Sequence, residues 1–321
     1  LALVGALLDG PFEAAGLVSL EWARQSVAGI LWLVKIAGNA EAGSFRTRAL
    51  DLWLIIISLI PLAFVGLPPG WPGRRLAVLG IVAVLAYRPE EPPDDCIEYH
   101  VLDVGQGLAV VLQTSRHTLL FDTGPSFLNG SSTAELVVLP FLHRRGIERL
   151  DKLIVSHGDL DHAGGIDAIL ARIDVDEVMV GEPLPGLGQS QRPCKAGNRW
   201  RWDAARFTVL HPRNSAPWDR NNSSCVLLVE VGAFKLLFTG DIESPAEKLL
   251  VHRNSIAAMD VVIVPHHGSL TSSSETFVAA SAPGLALVSA GFLNRWDFPR
   301  PEVVARWQNS GAQVLNTATS G

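Results

Sequence analysis

The chain has 321 residues, of which 48% are apolar and 18% charged, and a formal net charge of −6. A soluble domain carries about 25% charged residues, so the composition excludes a purely soluble protein, a disordered chain and a simple basic nucleic-acid binder. The apolar excess is local: residues 1–92 hold seven Lys/Arg and seven Asp/Glu, against nineteen and twenty-five in residues 93–321. That second part has the size of one globular domain. The cysteines Cys96, Cys194 and Cys225 form an odd, scattered set without CxxC spacing. They argue against a disulfide framework and against a cysteine zinc site, and leave the compartment open. Residue 1 is Leu and no charged stretch precedes an apolar one, so no signal peptide is read and the chain reads as a fragment of something longer.

Residues 1–48 are apolar with isolated charges. Leu17, Leu20, Val27, Leu31 and Val34 recur at three-to-four spacing, with Glu21, Arg24 and Gln25 between them. This predicts a helix with a narrow polar stripe that either packs against membrane helices or lies in the membrane interface. Leu52–Leu67 and Leu76–Tyr87 are almost purely apolar and predict a transmembrane hairpin over 49–88, kinked at Pro61. Arg46, Arg48 and Arg88 flank one side and Arg74 and Arg75 the other, so the charges do not orient it. Residues 89–95 (PEEPPDD) form a Pro-rich linker.

From 96 to 321 short apolar runs alternate with helical patterns. Strands are predicted at Ile97–Leu102, Leu108–Gln113, Thr118–Phe121, Lys152–Val155, Glu177–Val180, Phe207–Leu210, Cys225–Glu230, Lys235–Phe238, Val261–Val264 and Leu285–Ser289. Helices are predicted to start near Thr133, Gly165, Pro245, Ser274 and Pro301. The order implies a layered α/β domain. No internal repeat is evident.

The densest chemistry follows the run Lys152–Val155. His157, Asp159, Asp161 and His162 fall within six residues, between a strand and a Gly-Gly helix start, where α/β proteins hold ligands. Imidazole and carboxylate together bind divalent metals. Two more strands end alike, one in Gly240-Asp241 and one in Pro265-His266-His267-Gly268-Ser269. Three strand ends meeting on one face of a sheet give a binuclear site. His100, His117, His143 and His252 lie outside these motifs and are read as surface or structural. Trp200, Trp202 and Trp296 are candidates for base stacking, with core or rim packing the simpler reading.

These motifs resemble the metallo-β-lactamase fold hydrolases. His157/Asp161/His162, Asp241 and the His266–His267 pair match that superfamily's second, fourth and fifth motifs, and Asp103 matches the first. Within it, the LDVGQG segment, the LLFDTG segment (Asp122), the SHGDLDHAGG segment, the PHHGS segment and the hairpin upstream are similar to the C-terminal domain of the ComEC family, the membrane channels of bacterial DNA uptake. The resemblance covers about residues 45–321. It implies an αββα sandwich preceded by a helical transmembrane segment, with the chain ending where the family continues into one more strand.

It also implies an activity: a membrane-tethered, metal-dependent nuclease that degrades one DNA strand during uptake. Its partners would be single-stranded DNA, the membrane and other competence proteins. Its place would be the bacterial cytoplasmic membrane, as a multi-pass protein with the hydrolase domain on the outer face. Other readings are a small-molecule phosphodiesterase or lactonase, and a catalytically inactive DNA-binding domain of the channel.

This sequence departs from the superfamily pattern. Asp159 stands at a position that is usually His, and His211 is the only histidine between the second and fourth motifs; a polar turn, Asn221 to Ser224, occupies that interval instead. One metal position is therefore complete (Asp161, His162, Asp241 and one of His266/His267) and the other poor (His157, Asp159 and the shared Asp241). The expected cofactor is a divalent ion, Mn²⁺ or Zn²⁺, with one firm site and a weaker second; oxygen-rich ligation favours Mn²⁺ or Mg²⁺ over Zn²⁺. Catalytic roles fall to Asp159, Asp161, His267 and, as an orienting group, Asp103; Asn221, Ser224 and Ser269 are the substrate-binding candidates.

Overall fold

The computed structural model describes residues 13–39, 52–65, 73–85, 92–128, 130–213 and 220–320. It divides into two units, Leu1–Thr47 and Arg48–Gly321. In the first, helix α1 (Glu13–Asn39) carries the expected polar stripe: Arg24 bonds Glu21 at 2.6 Å and Gln25 donates to the same carboxylate at 3.1 Å. Trp22, Ile30, Leu31 and Trp32 of α1 are exposed.

The second unit opens with a helical pair, α2 (Leu52–Val65) and α3 (Gly73–Leu85), in which Gly80 sits against Pro61 and Gly73 against Phe64. The helices have 14 and 13 residues, so at 1.5 Å per residue each is about 20 Å long, against a hydrocarbon core of about 30 Å. Among the described residues no helix is long and apolar enough to cross a membrane. Arg46, Arg48, Arg88 and residues 89–91 of the expected linker lie outside the described residues. Arg74 and Arg75, expected in the connecting loop, fall inside α3.

The rest is a two-sheet sandwich. Strands β1 (Glu98–Val101), β2 (Val110–Gln113), β3 (Thr118–Phe121), β4 (Arg149–Leu150), β5 (Lys152–Val155), β6 (Asp174–Val175), β7 (Val178–Val180) and β8 (Gln191–Pro193) come first. Six of them form one sheet in the order β1-β2-β3-β5-β7-β8, while β4 and β6 pair separately. Strands β9 (Arg199–Trp202), β10 (Ala205–His211), β11 (Val226–Val231), β12 (Phe234–Phe238), β13 (Val261–Ile263), β14 (Leu285–Val288) and β15 (Gln313–Asn316) form the other, in the order β15-β14-β13-β12-β11-β10-β9. The two sheets share one plan. An antiparallel meander (β1 to β3, or β9 to β12) is followed by three parallel strands.

Strict alternation along each buried strand sorts the apolar residues into three layers. Leu119 and Phe121 of β3, Ile154 of β5, Leu236 and Phe238 of β12 and Ile263 of β13 meet between the sheets. Their neighbours Leu120, Leu153 and Val155 face the other way, onto α4 (Leu139–Arg144) and α6 (Ile166–Leu170). Leu237 and Val262 likewise face α7 (Ser244–His252), α8 (Glu275–Ser281) and α9 (Pro301–Asn309). The architecture is the αββα sandwich.

One expectation is overturned. Cys194 and Cys225 form a disulfide, and Cys96 alone is free. Spacing gave no hint because the two residues belong to different sheets: Cys194 follows β8, Cys225 precedes β11, and both sulfurs lie in the inter-sheet core.

Candidate metal centre

Strands β3, β5, β12 and β13 all deliver their C-terminal ends to one rim of the sandwich. The chain after β5 turns into the short helix α5 (Leu160–Ala163), which carries Asp161 and His162. Gly240, at φ +53°, lets the end of β12 pass beneath β5; a Cβ there would lie 2.8 Å from the Cβ atoms of Ser156 and Ser224. His266 and His267 are consecutive non-glycine residues in the left-handed region, at φ 50° and 53°. Such strain persists where the surroundings over-determine it, often at functional sites.

The result is a quartet. Asp161, His162, Asp241 and His267 offer ligand atoms within 4.8 Å of one another. His162 Nδ1 donates to Asp122 Oδ2 at 2.7 Å, and His267 Nδ1 donates to the Ser289 carbonyl at 2.7 Å. Both acceptors lack a proton to give, so each ring keeps its hydrogen on Nδ1 and turns the Nε2 lone pair inward. The two Nε2 atoms stand 3.2 Å apart. His162 Nε2 is 3.1 Å from Asp241 Oδ1, and His267 Nε2 is 3.4 Å from Asp161 Oδ2. Four acceptors aimed at one point are satisfied only by a cation. A proton is one answer: burial opposes it, yet Asp241 and Asp122 hold the His162 pKa well above its usual value. A divalent ion is the other, and the donor set of two imidazoles and two carboxylates fits one.

Asp241 is held the opposite way. Burial works against its charge, but His162 and His267 outweigh it and keep the carboxyl well below its usual range. Its backbone N–H donates to Ser224 Oγ at 3.0 Å.

Beside the quartet lies a thinner group. His157 is fully buried, with Nδ1 3.0 Å from Ser156 Oγ and 3.4 Å from Ser224 Oγ, while its Nε2 has no hydrogen-bond partner. Asp159 Oδ2 is 3.6 Å from that Nε2; the imidazole holds the Asp159 carboxyl below its usual range. The orphaned nitrogen suits a second, less fully ligated cation.

Other expected residues land elsewhere. His267, not His266, enters the quartet. His266 lies at the mouth, Nε2 3.8 Å from Asp241, Nδ1 3.2 Å from Thr271 Oγ1 and 3.4 Å from Glu243 Oε1. Asp103 does not reach the ligands: it is exposed and accepts the Gly105 N–H at 3.0 Å, closing its own turn. The orienting role belongs to Asp122, which also accepts Ser156 N–H at 2.6 Å and Ser156 Oγ–H at 2.8 Å. Its signal was present, since Phe121-Asp122 ends a buried apolar strand just as Asp241 does. Ser224 is buried and committed to His157 and Asp241, so it is part of the floor of the site. Ser269 Oγ faces Thr271 Oγ1 at 3.0 Å, and Asn221 Nδ2 donates to Glu243 Oε1 at 3.5 Å. His211 is no ligand; its Nε2 donates to the Asn222 carbonyl at 2.7 Å.

Asp122→Asn is expected to weaken divalent-ion affinity about 10- to 100-fold, because an amide cannot fix the His162 proton on Nδ1. Calorimetric titration measures this, and unchanged affinity would remove Asp122 from the support of the site.

Comparison with known proteins matches the sequence pattern of the Metallo-beta-lactamase superfamily to residues 102–291. The chain belongs to this superfamily. The superfamily fold implies divalent-ion binding, and the quartet is a candidate site for it. Among curated relatives of this superfamily member, Competence protein ComA of Neisseria gonorrhoeae is 34% identical over 323 residues, 100% of this chain and 44% of that protein. Recombination protein 2 of Haemophilus influenzae is 41% identical over 221 residues, 68% of this chain and 27% of that protein. The chain spans less than half the length of these relatives. Among solved structures, CmlA, a diiron β-hydroxylase from Streptomyces venezuelae, is matched at 17% identity and a TM-score of 0.48 over 75% of this chain and 56% of that one.

Proposed function

We propose that this chain is the hydrolase end of a membrane-tethered nuclease that cleaves phosphodiester bonds in DNA and degrades one strand during DNA uptake. The observation that carries the reading is the convergence of four cation-seeking acceptors on one open rim. The names of the relatives supply the competence context. When bound, a divalent ion there acidifies a water and neutralises charge building on a phosphoryl oxygen.

The chain's own residues do the rest. Asp161, His162, Asp241 and His267 would hold the firm ion, and His157 and Asp159, with Asp241, would hold the weaker one. Asp159 is half-exposed at the mouth, where its carboxylate orients the attacking water by accepting its hydrogen. His266 passes the proton to the leaving oxygen, with Glu243 Oε1 3.4 Å from its Nδ1 to orient the ring. Asn221 steadies Glu243.

Membrane tethering is supported by the exposed apolar residues of the helical pair, among them Ile56, Ile60, Leu76 and Leu79. The outer face of the cytoplasmic membrane is supported by the Cys194–Cys225 disulfide, since such bonds persist in oxidising compartments.

The test is a digestion assay on the full chain in detergent, with Mn²⁺, Mg²⁺ and Zn²⁺ in turn. Single-stranded DNA is expected to be degraded, and chelation to abolish the activity. Activity on cyclic nucleotides or lactones with none on DNA would move the substrate to small molecules. DNA binding that survives Asp161→Ala, without cleavage under any ion, would make the site a binding relic. Metal analysis should return one tightly held ion per chain; two tight zinc ions would refute the weaker second position.

A further inference from the structure

The segment 291–300 (GFLNRWDFPR) contributes no ligand, yet its side chains form an ordered stack. Arg295 lies over the Trp296 ring at 4.1 Å, and Trp296 stacks on Phe298 with centroids 6.4 Å apart and planes 17° apart. Arg300 covers Phe298 at 5.9 Å. Phe298 in turn meets the His266 ring edge-on at 5.8 Å, and His266 Nε2 is 3.8 Å from Asp241. The ladder thus runs unbroken from the surface to the metal quartet. Trp296 keeps 40% of its surface exposed, while Trp200 lies flat on Phe207 between the sheets, 5.0 Å away.

The ledge is held in place. Asn294 Oδ1 accepts the N–H groups of Trp296 at 3.2 Å and Phe298 at 2.9 Å, and its Nδ2 donates to the Gly291 carbonyl at 2.9 Å. Leu293 and Asp297 sit at φ 50° and 54°, strain that this knot fixes. Trp296 is exposed in a locked loop with the solvent-exposed Arg295 side chain over its ring. A planar base that displaces this guanidinium from the ring and pairs it with its phosphate gains both contacts: aromatic faces stack any base, and arginine adds cation–π and phosphate contacts.

We propose that the Trp296–Phe298 ledge is a nucleobase-stacking subsite that seats an unpaired base of single-stranded nucleic acid next to the metal quartet. The inference rests on the nuclease reading for its purpose but not for its test. A duplex offers no free base face, so the ledge selects single strands.

The test uses the full chain in detergent with chelator present, so that nothing is cleaved. Fluorescence anisotropy compares an oligothymidylate with an oligonucleotide of equal length made of abasic sites. Trp296→Ala is expected to weaken oligothymidylate binding about tenfold, the loss of one stacked base, and to leave the abasic strand unchanged. Trp296→Phe is expected to recover most of the loss. Equal weakening on both strands, or no change on either, overturns the proposal. Displacement of the oligothymidylate by thymidine monophosphate at equal concentration also overturns it, assigning the ledge to mononucleotides. If no DNA is hydrolysed with any divalent ion while the Trp296-dependent difference persists, the nuclease reading falls and the ledge stands.

Discussion

Asp241→Asn is expected to release the firmly held ion and to lower hydrolysis about 10³-fold, a loss of about 4 kcal/mol of transition-state stabilisation. Among the described residues, Asp241 is the carboxylate that approaches both histidines of the quartet, 3.1 Å from His162 and 3.5 Å from His267. The amide keeps the volume and removes the charge. Without it the two Nε2 lone pairs, 3.2 Å apart, face each other with Asp161 3.4 Å from His267 Nε2 and Asp122 on the far, Nδ1 side of His162. Metal content after dialysis and the rate on single-stranded DNA are the readouts. A variant that keeps both its ion and its rate would show that the quartet is not the metal site. The variant should also lose the rise in melting temperature that divalent ion gives the wild-type chain, since a ligand that binds only the folded state stabilises it.

The second large effect is on stability. Cys194→Ala combined with Cys225→Ala is expected to cost about 3–4 kcal/mol, the chain-entropy value for a closed loop of this length, the cysteines lying 31 positions apart in sequence. For a domain of this size that corresponds to a fall in melting temperature of roughly 10 °C. The bond lies under the site: Cys225 donates its N–H to the Ser156 carbonyl at 2.9 Å and follows Ser224, which touches His157. The variant is therefore expected to lose occupancy of the weaker metal position before that of the quartet. Thermal unfolding of wild type and double variant, each with and without reductant, measures it. A melting temperature indifferent to both changes would mean that the cysteines are not paired in solution.

Most of the fold was legible because its central strands are short, buried on both faces and bounded by turn residues. Thr118–Phe121 and Lys152–Val155 were read to the residue. Strand β9 was not, for a physical reason. Arg199-Trp-Arg-Trp202 has perfect period-two alternation, but with arginine outside and tryptophan inside it reads as a cation cluster with stray aromatics until the second sheet supplies a core for the rings. Asp103 and Asp122 show the same limit. Both are carboxylates two residues before a glycine, Gly105 and Gly124, and only the side-chain direction separates a turn former from the residue that fixes a histidine's proton. The common plan of the two sheets left no repeat in the sequence, because alternation constrains the apolar character of a position and not its identity.

The sequence alone determined the chemistry: imidazoles and carboxylates packed at the ends of apolar strands have few uses other than holding a cation. It also carries a compositional contrast between the apolar residues 1–92 and the more charged 93–321, since burial against lipid or helix and exposure to water demand different compositions, whereas the structure's two units divide at Thr47/Arg48. Tertiary structure decided which donors come together, because His266 and His267 are adjacent in sequence yet their left-handed backbone sends one ring into the quartet and the other to the mouth. It decided the disulfide, because two cysteines from different sheets meet only when the sandwich closes. It also separated Trp296 from Trp200 and Trp202: Trp296 keeps 40% of its surface exposed on the loop that leads to His266, and the other two pack against the inter-sheet core.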